Sequence, residues 1–153
     1  MKGMVTFSYN QASEAAIMGH LQACEAGFTP PLGLRVELSG YARKLSVHSD
    51  RFEAWVDGDL VGLVAAYLND PARQAGFISS VSVLEAWQGM GIARRLLAMC
   101  MDRARMDGFS VLRLDVGAEN EDAVRLYTAF GFAEEGRSGR FMRMCLQLRM
   151  GDI

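Results

Sequence analysis

The amino-acid sequence predicts an α+β fold of the mixed α/β kind: a mixed, mostly antiparallel sheet that holds one locally parallel strand pair and is flanked by helices. Three observations predict it. Period-2 alternations and β-rich apolar runs recur along the chain, and stretches with apolar residues three and four apart lie between them. A strand, a helix and a strand then follow one another over residues 77–116. Such a crossover returns its second strand parallel to the first, inside a sheet otherwise joined by tighter connections.

Taken in order, Val5, Phe7 and Tyr9 alternate with Thr6 and Ser8, the pattern of a half-buried strand. The period then changes. From Ser13, which fits an N-cap, Ala16, Ile17, His20, Leu21 and Cys24 recur at helical spacing up to Gly27, which fits the glycine beyond a C-cap. Residues 28–33 include Pro30 and Pro31 and cannot continue that helix, so a stiff loop leads to a second one over roughly residues 36–47, with Leu38, Tyr41 and Leu45 on one side. Residues 52–56 and 60–68 read as strands joined through the turn Asp57-Gly58-Asp59. Asn69-Asp70-Pro71 breaks the chain before a strand over residues 77–83. Ile92, Leu96, Cys100 and Ala104 stand four apart in a helix over 91–107 that Gly108 closes. A strand over 111–116, a helix over 120–130 with Ala123, Leu126, Tyr127 and Phe130 on one face, and a strand over 141–148 complete the chain. The order is β-α-α-β-β-β-α-β-α-β-β, in which the residues locate every strand except the sixth. No repeat, low-complexity tract or linker divides residues 1–153, which read as a single domain.

Composition narrows the function classes. With 50% apolar and 22% charged residues, 16 Gly and 3 Pro, the chain is neither collagen nor coiled coil nor broadly disordered. Sixteen Lys and Arg against 18 Asp and Glu leave a net charge of -2, the wrong balance for neutralising a phosphate backbone, so no nucleic-acid partner is expected. Cys24, Cys100 and Cys145 are odd in number and lack Cys-x-x-Cys spacing, so they read as small hydrophobes in a reducing compartment. His20 and His48 have no third ligand at metal-site spacing; no metal is expected, and both read as surface or helix-end histidines. The longest apolar run, residues 60–68, falls far short of the roughly 20 residues that span a bilayer, and no signal-peptide core follows Met1. The expected compartment is the cytoplasm, with no membrane partner.

The informative stretch joins the strand over 77–83 to the helix behind it: Leu84-Glu85-Ala86-Trp87-Gln88-Gly89-Met90-Gly91-Ile92-Ala93. Two glycines let the backbone approach a ligand closely, and a helix N-terminus offers unpaired N–H groups and the positive end of a dipole. A phosphate or pyrophosphate fits that end. Arg94 and Arg95 in the first turn point the same way, because cations there are unfavourable unless an anion arrives; a solvated basic face explains them equally well. Two familiar phosphate motifs fail. The chain has no Gly-Lys followed by Ser or Thr, and the sixth position counted from Gly89 is Arg94 where a dinucleotide fingerprint needs Gly or Ala.

Gln88-Gly89-Met90-Gly91-Ile92-Ala93 instead resembles the Arg/Gln-x-x-Gly-x-Gly/Ala loop of the GNAT superfamily of N-acetyltransferases. The likeness continues through Asn120, Ala123, Leu126-Tyr127 and Gly131-Phe132; it is strongest over residues 77–132 and weak before about residue 52. The resemblance implies a central sheet of about seven strands flanked by four helices, with the parallel pair splayed in the middle. It implies acetyl-CoA as cosubstrate, with the backbone of Val81, Ser82 and Val83 pairing with the pantetheine arm. The amides of Gly89, Met90, Gly91, Ile92 and Ala93 then wrap the pyrophosphate, Gln88 opens the loop, Arg94 stands behind it, and Asn120 and Tyr127 meet the coenzyme from the next helix. The implied activity is direct acetyl transfer to a primary amine of a small molecule or peptide. The first helix pair, the loop over 28–33 and the loop over 69–76 are expected to cover the acceptor. A homodimer is compatible with the sequence and not required by it.

The reaction itself needs a neutral amine, a stabilised oxyanion and a proton for the departing thiolate. An alkyl ammonium of pKa near 10.4 costs roughly 4.6 kcal/mol to deprotonate at pH 7, whereas a thiol of pKa near 8.5 leaves with modest help. Tyr127 matches the family's tyrosine and is the candidate proton donor, although periodicity alone makes it a core aromatic. Asn120, followed by Glu121 and Asp122, also fits an N-cap. Alternation over 111–116 puts Leu112, Leu114 and Val116 on one face and Arg113 and Asp115 on the other, which makes Asp115 the candidate base and a salt-bridged aspartate its alternative. Glu85, or a water held by Ser79 or Ser80, are other routes. A non-catalytic acyl-CoA binding or sensing module on the same fold is the second reading, against which Tyr127 and an acid at Asp115 argue.

Overall fold

A computed structural model describes residues 3–25, 33 and 36–148. Its elements are β1 (Thr6–Tyr9), α1 (Glu14–Cys24), α2 (Leu38–His48), β2 (Asp50–Val56), β3 (Asp59–Tyr67), β4 (Ala75–Val83), α3 (Ile92–Met106), β5 (Val111–Gly117), α4 (Glu121–Ala129), β6 (Ala133–Ser138) and β7 (Phe141–Gln147). The strands form one sheet in the order β1-β2-β3-β4-β5-β7-β6, in which β4 and β5 are parallel and the other neighbours antiparallel. This is the mixed sheet with four helices that the sequence predicts. Gly27 and residues 28–32 of the predicted loop lie outside the described residues.

The apolar run that became β3 is buried on both faces, and its alternation divides the core. Leu63 and Ala65 pack with Ile17, Leu21, Ala42 and Leu45 of α1 and α2, while Val64 and Ala66 pack with Leu96, Leu97 and Cys100 of α3. α3 comes unusually close to the sheet at Gly62, where a Cβ would stand 2.8 Å from Ile92 Cγ2 and 3.2 Å from Leu96 Cδ1. That close approach seats the N-terminus of α3 beside the end of β4, because Gly62 is paired with Val83. The β2–β3 hairpin turns at Asp57 and Gly58, both at positive φ, as a two-residue turn requires.

The feature that opens the sheet is a β-bulge. Ala65 pairs with Ser80 and Ala66 with Ile78, which leaves Ser79 as the extra residue in β4. The last parallel pair is Ile78 with Leu114. Beyond it β4 follows β3 as far as Val83, and β5 follows β7 as far as Gly117. A bulge bends its strand and increases the local twist, and here the two parallel strands part where it occurs.

Two elements differ from the sequence reading. β6 carries Ala-Glu-Glu-Gly-Arg-Ser, without apolar alternation, and exists as an edge strand held by β7. Residues expected to be plain loop after β4 form a 3-10 turn at Glu85–Trp87, closed by Trp87 N–H to Leu84 O at 2.8 Å.

Candidate active site

Where β4 and β5 diverge they leave a cleft of about 430 Å³, walled by Ser79 to Val83 on one side and by Asp115, Val116 and Gly117 on the other. α4 closes it with Asn120, Ala123, Leu126 and Tyr127, and the loop before α3 lies at its mouth. Along its parting edge β4 has lost its neighbour, so the backbone groups that would have met β5 face the cleft.

The loop is built to present amides. Gly89 and Gly91 take φ of 81° and 79°, a conformation that other residues adopt at a cost, and space is open where their Cβ atoms would stand. Gly91 is the N-cap of α3 and no side chain caps the helix. The first helical bond runs from Arg95 N–H to Gly91 O at 3.0 Å, so the amides of Ile92, Ala93 and Arg94 precede the ladder and have no partner within the helix. These are unspent donors at the positive end of a helix, a fit for a pyrophosphate. Gln88 braces the loop by donating from Nε2 to Val83 O at 3.1 Å. Arg94 lines the cleft, whereas the Arg95 guanidinium stacks 4.6 Å from the centre of the Phe7 ring and so turns away from it. Met90 has an exposed side chain outside the cleft wall, which leaves its amide as its contribution.

On α4, Asn120 Oδ1 accepts from Ala123 N–H at 3.2 Å, so the side chain caps the helix while the residue lines the cleft. Tyr127 is buried, edge-on to Phe132, and burial pushes its phenol well above the usual tyrosine range, which keeps its proton in place at neutral pH. Asp115 stands on the β5 wall, opposite Arg143 of β7 in the register, and the Arg143 guanidinium clasps both of its carboxylate oxygens.

The other face of β4 turns toward α1 and α2. Tyr41 of α2 donates its hydroxyl to Ser79 O at 3.1 Å, which satisfies the bulged residue. Ser80 is buried and its hydroxyl meets no partner. Ser82 Oγ stands 2.8 Å from His20 Nε2, and His20 Nδ1 stands 3.0 Å from Leu60 O. A carbonyl only accepts, so Nδ1 carries the proton and Nε2 accepts from the Ser82 hydroxyl. Burial lowers the His20 pKa below the ordinary 6.5, which leaves the ring neutral at pH 7.

The model of the acetyltransferase (GNAT) family matches residues 18–132. The chain belongs to that family. It is 33% identical to the spermidine N(1)-acetyltransferase of Escherichia coli K12 over 137 residues, a match covering 78% of this chain and 70% of that one. It is likewise 33% identical to an N-alpha-acetyltransferase of Mycobacterium tuberculosis over 118 residues, covering 75% and 68%. Its fold is that of the ribosomal-protein-S18-alanine N-acetyltransferase of Escherichia coli, with a TM-score of 0.78, 20% identity and 97% of each chain covered. The protein is an acetyl-CoA-dependent N-acetyltransferase.

Of the candidates read from the sequence of this acetyltransferase, Val81, Ser82, Val83, Gln88, Gly89, Gly91, Ile92, Ala93, Arg94, Asn120, Tyr127 and Asp115 converge on the one cleft. Glu85 does not: it is exposed on the 3-10 turn and stands outside the wall. The loop over 69–76 supplies no wall residue either, because it enters β4 at the end where Ala75 still pairs with Val111. His20 is the residue that sequence reasoning missed. It is 3% exposed, not a surface or helix-end histidine. Its place in the buried series Ile17, His20, Leu21 and Cys24 was the available signal. Among the described residues no helix is long and apolar enough to cross a membrane, and no three His, Cys, Asp or Glu side chains group as metal ligands.

Proposed function

We propose that residues 1–153 work as one cytosolic domain that moves the acetyl group of acetyl-CoA directly onto a primary amine bearing one positive charge, on a small molecule or at the α-amino end of a peptide. The carrying observation is the wedge between β4 and β5 with unspent amides at its mouth. In this reading the amides of Gly89, Met90, Gly91, Ile92 and Ala93, with Arg94, hold the pyrophosphate. The edge of β4 at Val81, Ser82 and Val83 that has parted from β5, with Val83 O held by Gln88, takes the amides of the pantetheine arm as one strand takes another. The cosubstrate supplies a thioester carbon open to attack, and Tyr127 gives a proton to the departing thiolate.

The charge pattern of the wall supports the acceptor class. Its two carboxylates are both ion-paired, Asp115 with Arg143 and Asp122 with Arg125, and the β4 side offers hydroxyls. A polyamine such as the one named for the Escherichia coli relative gains most from free carboxylates, whereas a single amine needs none. An α-amino group, with a pKa near 8, is also the easier amine to free.

Thiol release measured with a panel of alkyl amines, polyamines and short peptides, with products identified by mass spectrometry, tests the reading. Acetylation of single amines or peptide N-termini ahead of polyamines is expected, and preference for polyamines overturns the acceptor class. In Gly91→Glu, bulk, charge and strain arrive where the pyrophosphate belongs, so acetyl-CoA affinity by calorimetry falls by about 100-fold or more, about 2.7 kcal/mol. Unchanged affinity removes the loop from the binding site.

A further inference from the structure

We propose that Ser82 and His20 form the proton relay that frees the acceptor amine: Ser82 meets the amine in the cleft, and His20 is the positioning residue behind it that takes the proton. The inference rests on the acetyltransferase reading above and adds to it the destination of the substrate's proton, the most costly demand of the reaction.

Four observations carry it. Ser82 lines the cleft on the stretch of β4 that has parted from β5. Its hydroxyl points its proton at His20 Nε2 over 2.8 Å, with the ring orientation fixed by Leu60 O on the far nitrogen. The same two partners suit both protonation states: in the imidazolium, Nδ1–H still donates to Leu60 O and Nε2–H donates to Ser82 Oγ, so taking up a proton breaks no hydrogen bond. The neighbouring acids are otherwise engaged or remote, since Asp115 is held by Arg143 and Glu85 stands outside the cleft.

Among the described residues the groups that face His20 are few. β3 offers the Leu60 carbonyl, β4 the Ser82 hydroxyl, and α1 itself the Cys24 thiol, with Sγ 3.6 Å from Nε2. Burial pushes that thiol up to about 11, so it stays uncharged beside the ring. One pleat away on the same face, the Ser80 hydroxyl is buried and has no partner among the described residues.

The step balances simply. An ammonium R–NH3+ gives one proton to Ser82 Oγ as the Ser82 hydroxyl proton passes to His20 Nε2. Ser82 is restored, His20 becomes imidazolium, and R–NH2 is left with its lone pair. The amine nitrogen then bonds to the thioester carbon, the C–S bond breaks, the sulfur takes the Tyr127 proton, the product nitrogen returns a proton to Tyr127, and His20 later releases its own to water.

The test compares wild type, His20→Asn and Ser82→Ala by thiol release from pH 5 to 10, with an alkyl amine and with an alkoxyamine, whose nitrogen is already neutral at pH 7. In wild type the acidic limb for the alkyl amine is expected below pH 6.5, where the relay fills with protons. In both variants kcat at pH 7 falls by about 100-fold for the alkyl amine. The limb moves up to the amine's own pKa, so the deficit closes as pH rises, while in His20→Asn, which leaves the coenzyme-binding strand intact, alkoxyamine turnover and acetyl-CoA affinity by calorimetry are retained. Ser82→Thr, which keeps the hydroxyl, restores the low-lying limb. Circular dichroism verifies folding, and Ser82→Ala decides the matter should His20→Asn unfold. An equal loss at every pH and for both acceptors overturns the relay, as does a limb that stays put in His20→Asn or an acetyl group found on Ser82. A wild-type chain that binds acetyl-CoA and acetylates no amine overturns the function itself, a result read without any variant.

Discussion

The two walls of the cleft handle polar groups in opposite ways. On the β4 side, the block of β1 to β4 with α1 and α2 keeps its polar side chains inside. Glu53 of β2 is fully buried and accepts from Ser8 Oγ and Gln11 N–H at 2.8 Å and from Ala12 N–H at 2.9 Å, with Arg51 Nε 3.6 Å away. Arg51 in turn donates to Leu45 O, Ser46 O and Ser49 O and so closes the end of α2. His20 belongs to the same interior set. On the β5 side, Asp115 with Arg143, Arg113 with Glu135 and Glu134 with Arg137 are pairs at the surface, each side chain a third or more exposed. Interior polar groups have directed partners and feel little screening; surface pairs are screened and replaceable. In our reading the β4 wall therefore suits the uptake of the amine's proton, while the ion pairs beside the β5 wall prop the cleft.

The largest effect that this contrast predicts is at Glu53. Removing its carboxylate in Glu53→Ala strands two backbone amides and a buried guanidinium, and urea denaturation should show a loss of about 3–5 kcal/mol. A loss below about 1 kcal/mol would erase the distinction between the walls. Next comes Tyr127, the buried polar group of α4, which closes the cleft between the two walls. In Tyr127→Phe the hydroxyl alone is lost, so kcat should drop by about 10–100-fold with acetyl-CoA affinity nearly kept, and normal turnover would end its role as acid. The smallest effect belongs to Asp115→Asn, which breaks a surface pair. Thermal or urea unfolding should register about 0.2–1 kcal/mol, and the acidic limb of the pH profile should stay below 6.5. A limb that vanished in this variant would move the base from the β4 wall to the β5 wall.

How much of this was legible in the sequence follows from which forces are local. β3 and α3 were plain because burial imposes a pattern on neighbours in sequence: Leu60, Val61, Leu63, Val64 and Ala65 on one, and Ile92, Leu96, Cys100 and Ala104 on the other. The glycine loop was plain because positive φ demands glycine at Gly89 and Gly91. β6 was not, because its stability comes from pairing with β7 and from ion pairs, and neither requires alternation. Helical spacing showed that His20 belongs to a buried series, but its partners Leu60 and Ser82 come from other strands, and no periodicity reports a contact of that range. Asp115 was placed on the correct face, while its engagement with Arg143 depends on the β5–β7 register.

The bulge at Ser79 also sets a parity for everything after it. Ile78 pairs with Ala66 and joins the α3 side of the core, yet Ser80, which plain alternation would send the same way, pairs with Ala65 on the α1 side. One supernumerary residue thus swaps inside for outside from there to Val83. Excising it would aim Ser80 and Ser82 into the oily layer beneath α3 and turn Val81 and Val83 toward α1, exchanging the wet wall of the cleft for a greasy one without altering a single remaining letter.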